Sequence, residues 1–173
     1  ILAGSADATR RAQDLLRHAE AEPPIIDLSF ALEDRPEARL RAPLAEPPSG
    51  LDPARVQVVA HPAAVLVTTV LRGLSTIAPV QRSVVNLFAP ASEMGRPGVE
   101  ELQRQTVQLL SFQTLPQDVF GAQMTFNLLS GRLPELEHRI ERHLATLLSA
   151  GTPIALPSLR VTQAAVMHGY SAS

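Results

Sequence analysis

The stretch that decides the fold runs from residue 80 to residue 110 and reads VQRSVVNLFAPASEMGRPGVEELQRQTVQLL. Val80 to Phe88 predicts a strand, because it is rich in β-branched and apolar residues. The loop Ala89–Pro97 follows, and Pro97 suits the first turn of a helix. That helix has an apolar face at helical spacing, formed by Val99, Leu102, Thr106, Leu109 and Leu110. The stretch therefore predicts a strand, a loop and a helix.

On its N-terminal side the same alternation is predicted. The opening Ile1–Gly4 has the pattern of a buried strand that enters a turn. Ala6–Ala19 predicts a surface helix with Ser5 or Asp7 as its N-cap, and Ile25–Ser29 predicts a short buried strand. The face of that first helix would consist of Ala8, Ala12, Leu15, Leu16 and Ala19.

The next segment, Glu33–Pro53, contains five prolines and has no sustained period, so it predicts an irregular surface connection between two units. Arg55–Ala60 predicts a strand that ends at His61-Pro62. Ala63–Leu74 has the length and the apolar stripe of a mostly buried helix. A strand-to-helix turn is therefore expected at residues 60–64.

On the C-terminal side, Met124–Leu129 and Ile154–Val166 predict strands. Between them, Leu133–Leu148 predicts a helix, ended by Gly151 and Pro153. Its apolar face would be Leu136, Ile140, Leu144, Leu147 and Leu148. Strands that alternate with helices in this way predict an α/β or α+β fold with a substantial sheet.

Composition excludes several kinds of function. Of the 173 residues, 45% are hydrophobic, which favours a globular protein. The net charge of -2 gives no electrostatic field that would attract nucleic acid. All fifteen basic residues are arginine and cysteine is absent, so neither a lysine Schiff base nor a cysteine nucleophile is available. The most apolar stretch, Val56–Leu71, is too short and too interrupted to span a bilayer.

Few residues suggest chemistry by pattern alone. His138 and His143 are five apart on a predicted helix and face different sides, which argues against a metal site. His61 ends a strand, where α/β enzymes place functional groups, although a lone histidine there is more often a half-buried structural residue. His168–Ser171 follows a long strand and matches no nucleophile motif. The loop Ser92–Gly98 opens a helix, where backbone amides favour anions, but glycines alone make a weak signal.

Residues 92–112, SEMGRPGVEELQRQTVQLLSF, resemble the segment of aspartate-semialdehyde dehydrogenases in which a Ser-Gly-x-Gly loop leads into a helix containing Gly-x-x-Glu-Leu and then Gln-Thr. Ile26–Ala31 resembles the family's Ile-Asp-Asn-Ser-Ser-Ala, and Ala60–Ala64 its Asn-Pro-x-Cys turn. Phe126-Asn127 and Val166–Ser171 resemble two later motifs. The similarity spans essentially the whole chain and is greatest to the Usg-type non-catalytic homologues.

This resemblance implies the C-terminal part of a Rossmann-type dinucleotide-binding domain over residues 1–62. It implies an incomplete mixed-sheet dimerisation domain, with helices packed on one face, over residues 63–173. The glycine-rich NADP motif would precede Ile1, so the chain would be an internal fragment of a cytoplasmic homodimer. The residues expected to contact the cofactor are Gly4, Ser5, Ser92 and Gly95.

The family reaction is the NADPH-dependent reductive dephosphorylation of aspartyl phosphate through a cysteine thioester. By resemblance, Ala64 occupies the position of the cysteine and Tyr170 that of the histidine base. Ala89 and Gln163 replace a glutamine and an arginine that orient the substrate. The phosphate-binding arginine falls at Leu32 or Glu33, and only Glu141, expected to bind the substrate amine, is retained. The resemblance therefore implies a homologue that has lost catalysis.

Two other functions stay open at this level. One is a residual oxidoreductase that acts on another small aldehyde without a covalent intermediate, with His61, His168 or Tyr170 as acid or base. The other is a regulatory heterodimer partner of an active paralogue. None of the three involves a metal, nucleic acid or a membrane.

Overall fold

The computed structural model describes residues 1–16, 23–46 and 56–173. The end of the predicted first helix and most of the second half of the predicted connection therefore lie outside the described residues. Two compact units are present, one formed by residues 1–81 and 142–156 and the other by residues 82–141 and 157–173. The functional boundary between residues 62 and 63 stays a prediction.

Strands and helices alternate along the chain, as the sequence predicts, so the α/β fold class is confirmed. The elements are α1 (Ala6–Leu16), β1 (Ile25–Asp27), β2 (Ala38–Arg41), β3 (Val56–Val59), α2 (Pro62–Ser75), β4 (Val84–Ala89), α3 (Gly95–Leu110), β5 (Leu128–Ser130), α4 (Pro134–Ser149), β6 (Ser158–Ala164) and β7 (Ser171–Ala172). A 3₁₀ helix, Ala91–Met94, joins β4 to α3.

The first unit contains a parallel sheet with the strand order β1-β3-β2. Leu2 bridges to Asp27 beside β1, so the opening residues pair as a strand end, although Ile1 is 84% exposed rather than buried. Val56 and Val58 of β3 pack with Leu32 in the core of this unit. Because the three strands are parallel, their carboxyl ends meet at one edge of the sheet, where α/β folds place their functional groups.

The second unit contains a four-stranded mixed sheet with the order β5-β6-β4-β7. Strands β4 and β6 are parallel neighbours, while β5 and β7 run antiparallel to them. The core beside the sheet consists of Ala91, Leu102, Phe120 and Met124. The mixed sheet predicted for the second half of the chain is therefore present.

Helix α3 has a polar buried face, which the sequence analysis did not predict. Glu101 and Gln105 are fully buried, whereas Leu110 is 67% exposed. The Glu101 carboxylate accepts hydrogen bonds from the backbone amides of Val119 (2.7 Å) and Phe120 (3.1 Å). Buried polar groups are tolerated when they are bonded, so this face fixes the following loop to the helix.

Gln105 completes the attachment of that loop. Its Nε2 donates to the carbonyl oxygens of Pro116 (2.6 Å) and Ala122 (3.0 Å), and its Oε1 accepts from the amides of Met124 (2.7 Å) and Thr125 (3.2 Å). The side chain of Gln105 therefore satisfies four backbone groups of the loop, which in a sheet would bond to a neighbouring strand. Gly98 lies on the same face, and a Cβ there would come within 2.4 Å of the Ala91 carbonyl oxygen.

Two predictions for the first unit are wrong, one about the connection Glu33–Pro53 and one about the buried face of α1. The connection Glu33–Pro53 contains β2, which pairs with β3 although its sequence Ala-Arg-Leu-Arg is half polar. The buried residues of α1 are Thr9 and Gln13, while Leu15 is 76% exposed. The buried hydroxyl of Thr9 is hydrogen-bonded to that of Ser29 at 2.9 Å, which satisfies a polar group that the sequence pattern did not place in the interior.

The predicted strands of the second half are longer than the observed ones. Strand β4 begins at Val84 rather than Val80, and β6 ends at Ala164, before a turn that leads to β7. Met124–Asn127 forms a turn in which Phe126 has a φ of 56°, so the strand predicted from residue 124 begins only at Leu128. The helix α4 agrees with its prediction, and its five predicted apolar residues are all buried.

Candidate functional site

His61 stands at the carboxyl end of β3 and caps α2. Its Nδ1 accepts a hydrogen bond from the backbone amide of Ala63 at 3.2 Å, and its side chain is 3% exposed. Pro62 fills the first turn, where its missing N–H has no cost. Ala64, in the same turn, is fully buried. The strand-to-helix turn expected at residues 60–64 is therefore present, with His61 in a structural role.

A buried polar cluster surrounds this turn and was missed by the sequence analysis. The backbone amide of His61 donates to Nδ1 of His143 at 3.0 Å, and Nε2 of His143 lies 3.0 Å from Oε2 of Glu33. Because Nδ1 of His143 accepts a hydrogen bond, the proton of the neutral imidazole is assigned to Nε2. The Nε2–H group then donates a hydrogen bond to the Glu33 carboxylate. Arg142 binds the other oxygen of Glu33 at 2.8 Å and Asp34 at 2.9 Å.

An aromatic ring completes the cluster. Phe30 lies 5.7 Å from the His61 ring and 5.8 Å from the His143 ring, between centroids. Its φ of 60° is held by the preceding turn, in which Asp27 accepts from the amides of Ser29 (2.7 Å) and Leu32 (2.9 Å). Glu33, one of the two positions at which the resemblance places the family's phosphate-binding arginine, therefore orients His143. His143 is 82 positions from His61 and 110 positions from Glu33, and no spacing rule predicts contacts between residues so far apart in the sequence.

Ser5 acts as the N-cap of α1. Its Oγ accepts from the amide of Ala8 at 3.3 Å, and its carbonyl accepts from Thr9 at 2.9 Å. A Cβ on Gly4 would lie 3.2 Å from that of Ala8, so the turn passes close to the helix. The expected contacts of Gly4 and Ser5 with a cofactor stay predictions.

In the second unit, the carboxyl ends of β4 and β6 form another candidate site. Ala89 and Gln163 are register partners across the parallel pair, and both are buried. Nε2 of Gln163 has no hydrogen-bond partner among the described residues. The two predicted substrate-orienting positions are thus brought side by side.

Tyr170 is held by Glu93 of the 3₁₀ helix. Its hydroxyl donates to the Glu93 carboxylate, and burial, followed by that hydrogen bond, raises the pKa of Tyr170 above its ordinary value. A phenol of raised pKa stays protonated at neutral pH and is a poor general base. Exposed His168 lies two residues away, before Gly169, whose φ is 85°.

The loop Ser92–Gly98, a weak candidate for an anion site by sequence, forms hydrogen bonds with its own chain. The amide of Ser92 donates to the Met167 carbonyl at 3.0 Å, and that of Ala91 to the Val166 carbonyl at 2.7 Å. The amide of Gly95 donates to Ser92, and Gly95 adopts a φ of 67°. These contacts close the loop against the segment after β6, and the cofactor contacts of Ser92 and Gly95 stay predictions.

Solved structures with the same arrangement of strands and helices cover 98% of this chain. One is a probable aspartate-semialdehyde dehydrogenase from Pseudomonas aeruginosa, with a TM-score of 0.75 and 26% identity. The fold is that of the aspartate-semialdehyde dehydrogenases. Aspartate semialdehyde dehydrogenase II from Vibrio cholerae, solved as a complex with ASA, has a TM-score of 0.78 at 15% identity. The enzyme from Candida albicans, solved with NADP, has a TM-score of 0.62 at 14% identity.

This chain spans about half the length of these dehydrogenases, 52% of the first two and 48% of the third. No protein-family model and no curated protein matches the sequence. The similarity therefore lies in the fold, and it agrees with the family that the sequence motifs resemble.

The role of Glu141, which the resemblance assigns to binding of the substrate amine, stays a prediction. Glu141 is half-buried on α4, and the neighbouring Glu137 accepts from Arg160 (3.1 Å) and from the amide of Val161 (2.8 Å). In the part of the chain that is described, no group of three histidine, aspartate or glutamate residues is placed to hold a metal ion. Over the same ranges, no helix combines the length and the apolar character that crossing a bilayer requires.

Proposed function

We propose that this chain is part of a catalytically inactive homologue of aspartate-semialdehyde dehydrogenase, of the Usg type, that keeps the fold without the thioester chemistry. The observation that carries the proposal is at Ala64. This residue stands where the resemblance places the nucleophile, it is fully buried in the first turn of α2, and the 173 residues contain no cysteine. A methyl group can neither attack a carbonyl nor leave as an acyl carrier.

The base position supports the same proposal. Tyr170 donates a hydrogen bond to Glu93 and its pKa is raised, so it stays protonated near neutral pH and does not replace a histidine that accepts a proton there. The same geometry disfavours Tyr170 as the base of a residual oxidoreductase. His61 is no better placed for that role, because its Nδ1 is used to cap α2.

The substrate-orienting positions lack the polar groups that the resemblance places there, an uncharged glutamine side chain at Ala89 and an arginine at Gln163. An arginine binds a carboxylate with two parallel charge-assisted hydrogen bonds, whereas Gln163 offers a neutral amide and Ala89 offers none. By resemblance the phosphate-binding arginine falls at Leu32 or Glu33. Leu32 is apolar, and Glu33 carries the opposite charge and is already paired with Arg142. These substitutions remove binding of an acyl phosphate as well as attack on it.

Homodimerisation and NADP binding are part of the proposal for the whole protein. The Candida albicans relative, solved with NADP, supports the cofactor. The unbroken fold over residues that resemble the dimerisation domain supports the dimer.

The decisive experiment is a semialdehyde dehydrogenase assay on the full-length protein with NADP and phosphate. We compare the wild type, Ala64→Cys, and a variant that combines Ala64→Cys with Ala89→Gln, Gln163→Arg and Tyr170→His. The Vibrio cholerae enzyme is the positive control. We expect no turnover from the wild type or the single variant, because the base and the orienting groups are also missing. Turnover by the wild type would refute the proposal, and NADP binding is measured in parallel by calorimetry.

A further inference from the structure

Two buried imidazole rings hold the turn at residues 60–64 by accepting hydrogen bonds from its backbone. Nδ1 of His61 accepts from the amide of Ala63 at 3.2 Å, and Nδ1 of His143 accepts from the amide of His61 at 3.0 Å. Each bond needs a ring nitrogen that carries no proton, because a backbone N–H can only donate. Both rings are therefore neutral in this arrangement.

A proton on either ring reverses the role of its Nδ1. A charged imidazole carries an N–H at both nitrogens, so Nδ1 of His143 would point a donor at the N–H of His61. The same holds for Nδ1 of His61 and the N–H of Ala63. Two donors cannot form a hydrogen bond with each other, and a buried amide that loses its acceptor is destabilising. Protonation therefore opens the turn at the N-terminus of α2.

The charges around His143 act in both directions. Oε2 of Glu33 lies 3.0 Å from Nε2 of the ring, and a carboxylate at this distance favours the charged imidazole. Arg142 offsets this effect, since it binds the other oxygen of Glu33 at 2.8 Å and also binds Asp34 at 2.9 Å. On α4 itself, Arg139 lies one helical turn before His143. The carboxylate thus attracts a proton to the ring, whereas the amide bonded to Nδ1 opposes it.

Phe30 and a small cavity complete the surroundings of the two rings. The Phe30 ring lies 5.7 Å from the His61 ring and 5.8 Å from the His143 ring, between centroids. Charging both imidazoles would place like charges beside one apolar ring. His143 and Glu33 also line a cavity of about 180 Å³, to which β2 contributes Leu40. Their side chains are 5% and 9% exposed, so protons from solvent have access to the pair.

We propose that the turn at residues 60–64 is a proton-sensitive latch, closed when His61 and His143 are both neutral and open when either is charged. The latch ties α4 to the turn between β3 and α2, which lies 82 positions away in the sequence. Acidification releases the first turn of α2, which contains Ala64. The latch requires neither the dehydrogenase reaction nor the dinucleotide, so it goes beyond the function proposed above.

Hydrogen exchange of the full-length protein, resolved by NMR at single amides, tests the latch between about pH 7.5 and about pH 5, a range that brackets the titration of an ordinary histidine. We expect the protection factors of the His61 and Ala63 amides to fall about tenfold as the pH is lowered, because each amide loses its acceptor. The amide of Val58 in β3 is the reference, and its protection should not change. At neutral pH, the ring nitrogen chemical shifts of both histidines should report a proton on Nε2.

Asparagine variants separate the two rings. His143→Asn places an amide oxygen near the position of Nδ1 and does not titrate, so the His61 amide should keep its protection to within about twofold at low pH. His61→Asn retains a good N-cap for α2 and should do the same for the Ala63 amide. His138→Asn is the matched control, because His138 is exposed on the same helix as His143, and it should behave as the wild type does.

Three results would overturn the proposal. The first is a wild type in which both amides keep their protection down to about pH 5, or in which Val58 loses as much protection as they do. The second is a neutral ring, at either histidine, that carries its proton on Nδ1. The third is a His143→Asn variant whose His61 amide loses protection on acidification as the wild type does.

Discussion

The buried face of α3 and the carboxyl ends of β4 and β6 belong to the same unit but differ in how completely their polar groups are used. On α3, Glu101 and Gln105 are fully buried and bond six backbone groups between residues 116 and 125. At the strand ends, Ala89 offers no polar group and Nε2 of Gln163 has no partner among the described residues. Residues 92–112, the segment with the most specific resemblance to dehydrogenases, include the α3 face that holds this loop in place. Similarity of this kind reports the fold and not the chemistry.

The largest expected effect is on the α3 face. Glu101→Ala would leave the amides of Val119 and Phe120 without acceptors, and we expect the free energy of unfolding to fall by about 3 kcal/mol. Urea denaturation measures it. The control is Glu100→Ala, because Glu100 is exposed and forms an exposed ion pair with Arg96, and it should cost less than about 0.5 kcal/mol. Equal losses for the two variants would mean that the buried carboxylate does not anchor the loop.

A matched pair of glutamine substitutions compares the two regions directly. Gln105→Met keeps the length of the side chain and removes hydrogen bonds to four backbone groups, so we expect a loss of about 2 kcal/mol. Chemical denaturation and hydrogen exchange at Met124 and Thr125 report it. If Gln105→Met were as stable as the wild type, apolar packing alone would hold the loop.

Tyr170→Phe removes the hydrogen bond to Glu93 and should cost about 1 kcal/mol near neutral pH. The raised pKa of folded Tyr170 means that its contribution is fully present below the unfolded pKa of about 10. That contribution is lost as the pH rises from there towards the folded pKa. The wild-type unfolding midpoint should therefore fall more steeply than that of Tyr170→Phe between about pH 9.5 and 11. Parallel curves would show that Tyr170 is not protected in the folded protein.

The smallest effect is expected at Gln163. Gln163→Met makes the same chemical change as at Gln105, but it removes an amide whose Nε2 has no partner within the described part of the chain. Stability should therefore change by less than about 0.5 kcal/mol or rise slightly. The difference between the two methionine variants measures the difference between the two regions. A loss of about 2 kcal/mol at Gln163 would mean that this residue has a structural role after all.

Much of the fold was predictable because periodicity is a local property. The helix predicted at Leu133–Leu148 is α4, and the turn predicted at residues 60–64 joins β3 to α2. Strand β2 was missed because half of its residues are arginine, and an edge strand is stabilised by its neighbour β3 rather than by its own pattern. The polar face of α3 was missed for a related reason, since Glu101 and Gln105 look like surface residues until the loop that they bind is in place.

By itself, the sequence determined the order of strands and helices, the absence of cysteine and lysine within these residues, and a resemblance to one enzyme family, because each of these can be read from neighbouring residues. Only the tertiary structure decided the partners of the polar groups. His143 joins His61 and Glu33 across 82 and 110 positions, and Tyr170 joins Glu93 across 77. Such contacts form when distant segments are packed together and share one buried environment, and no local pattern specifies them.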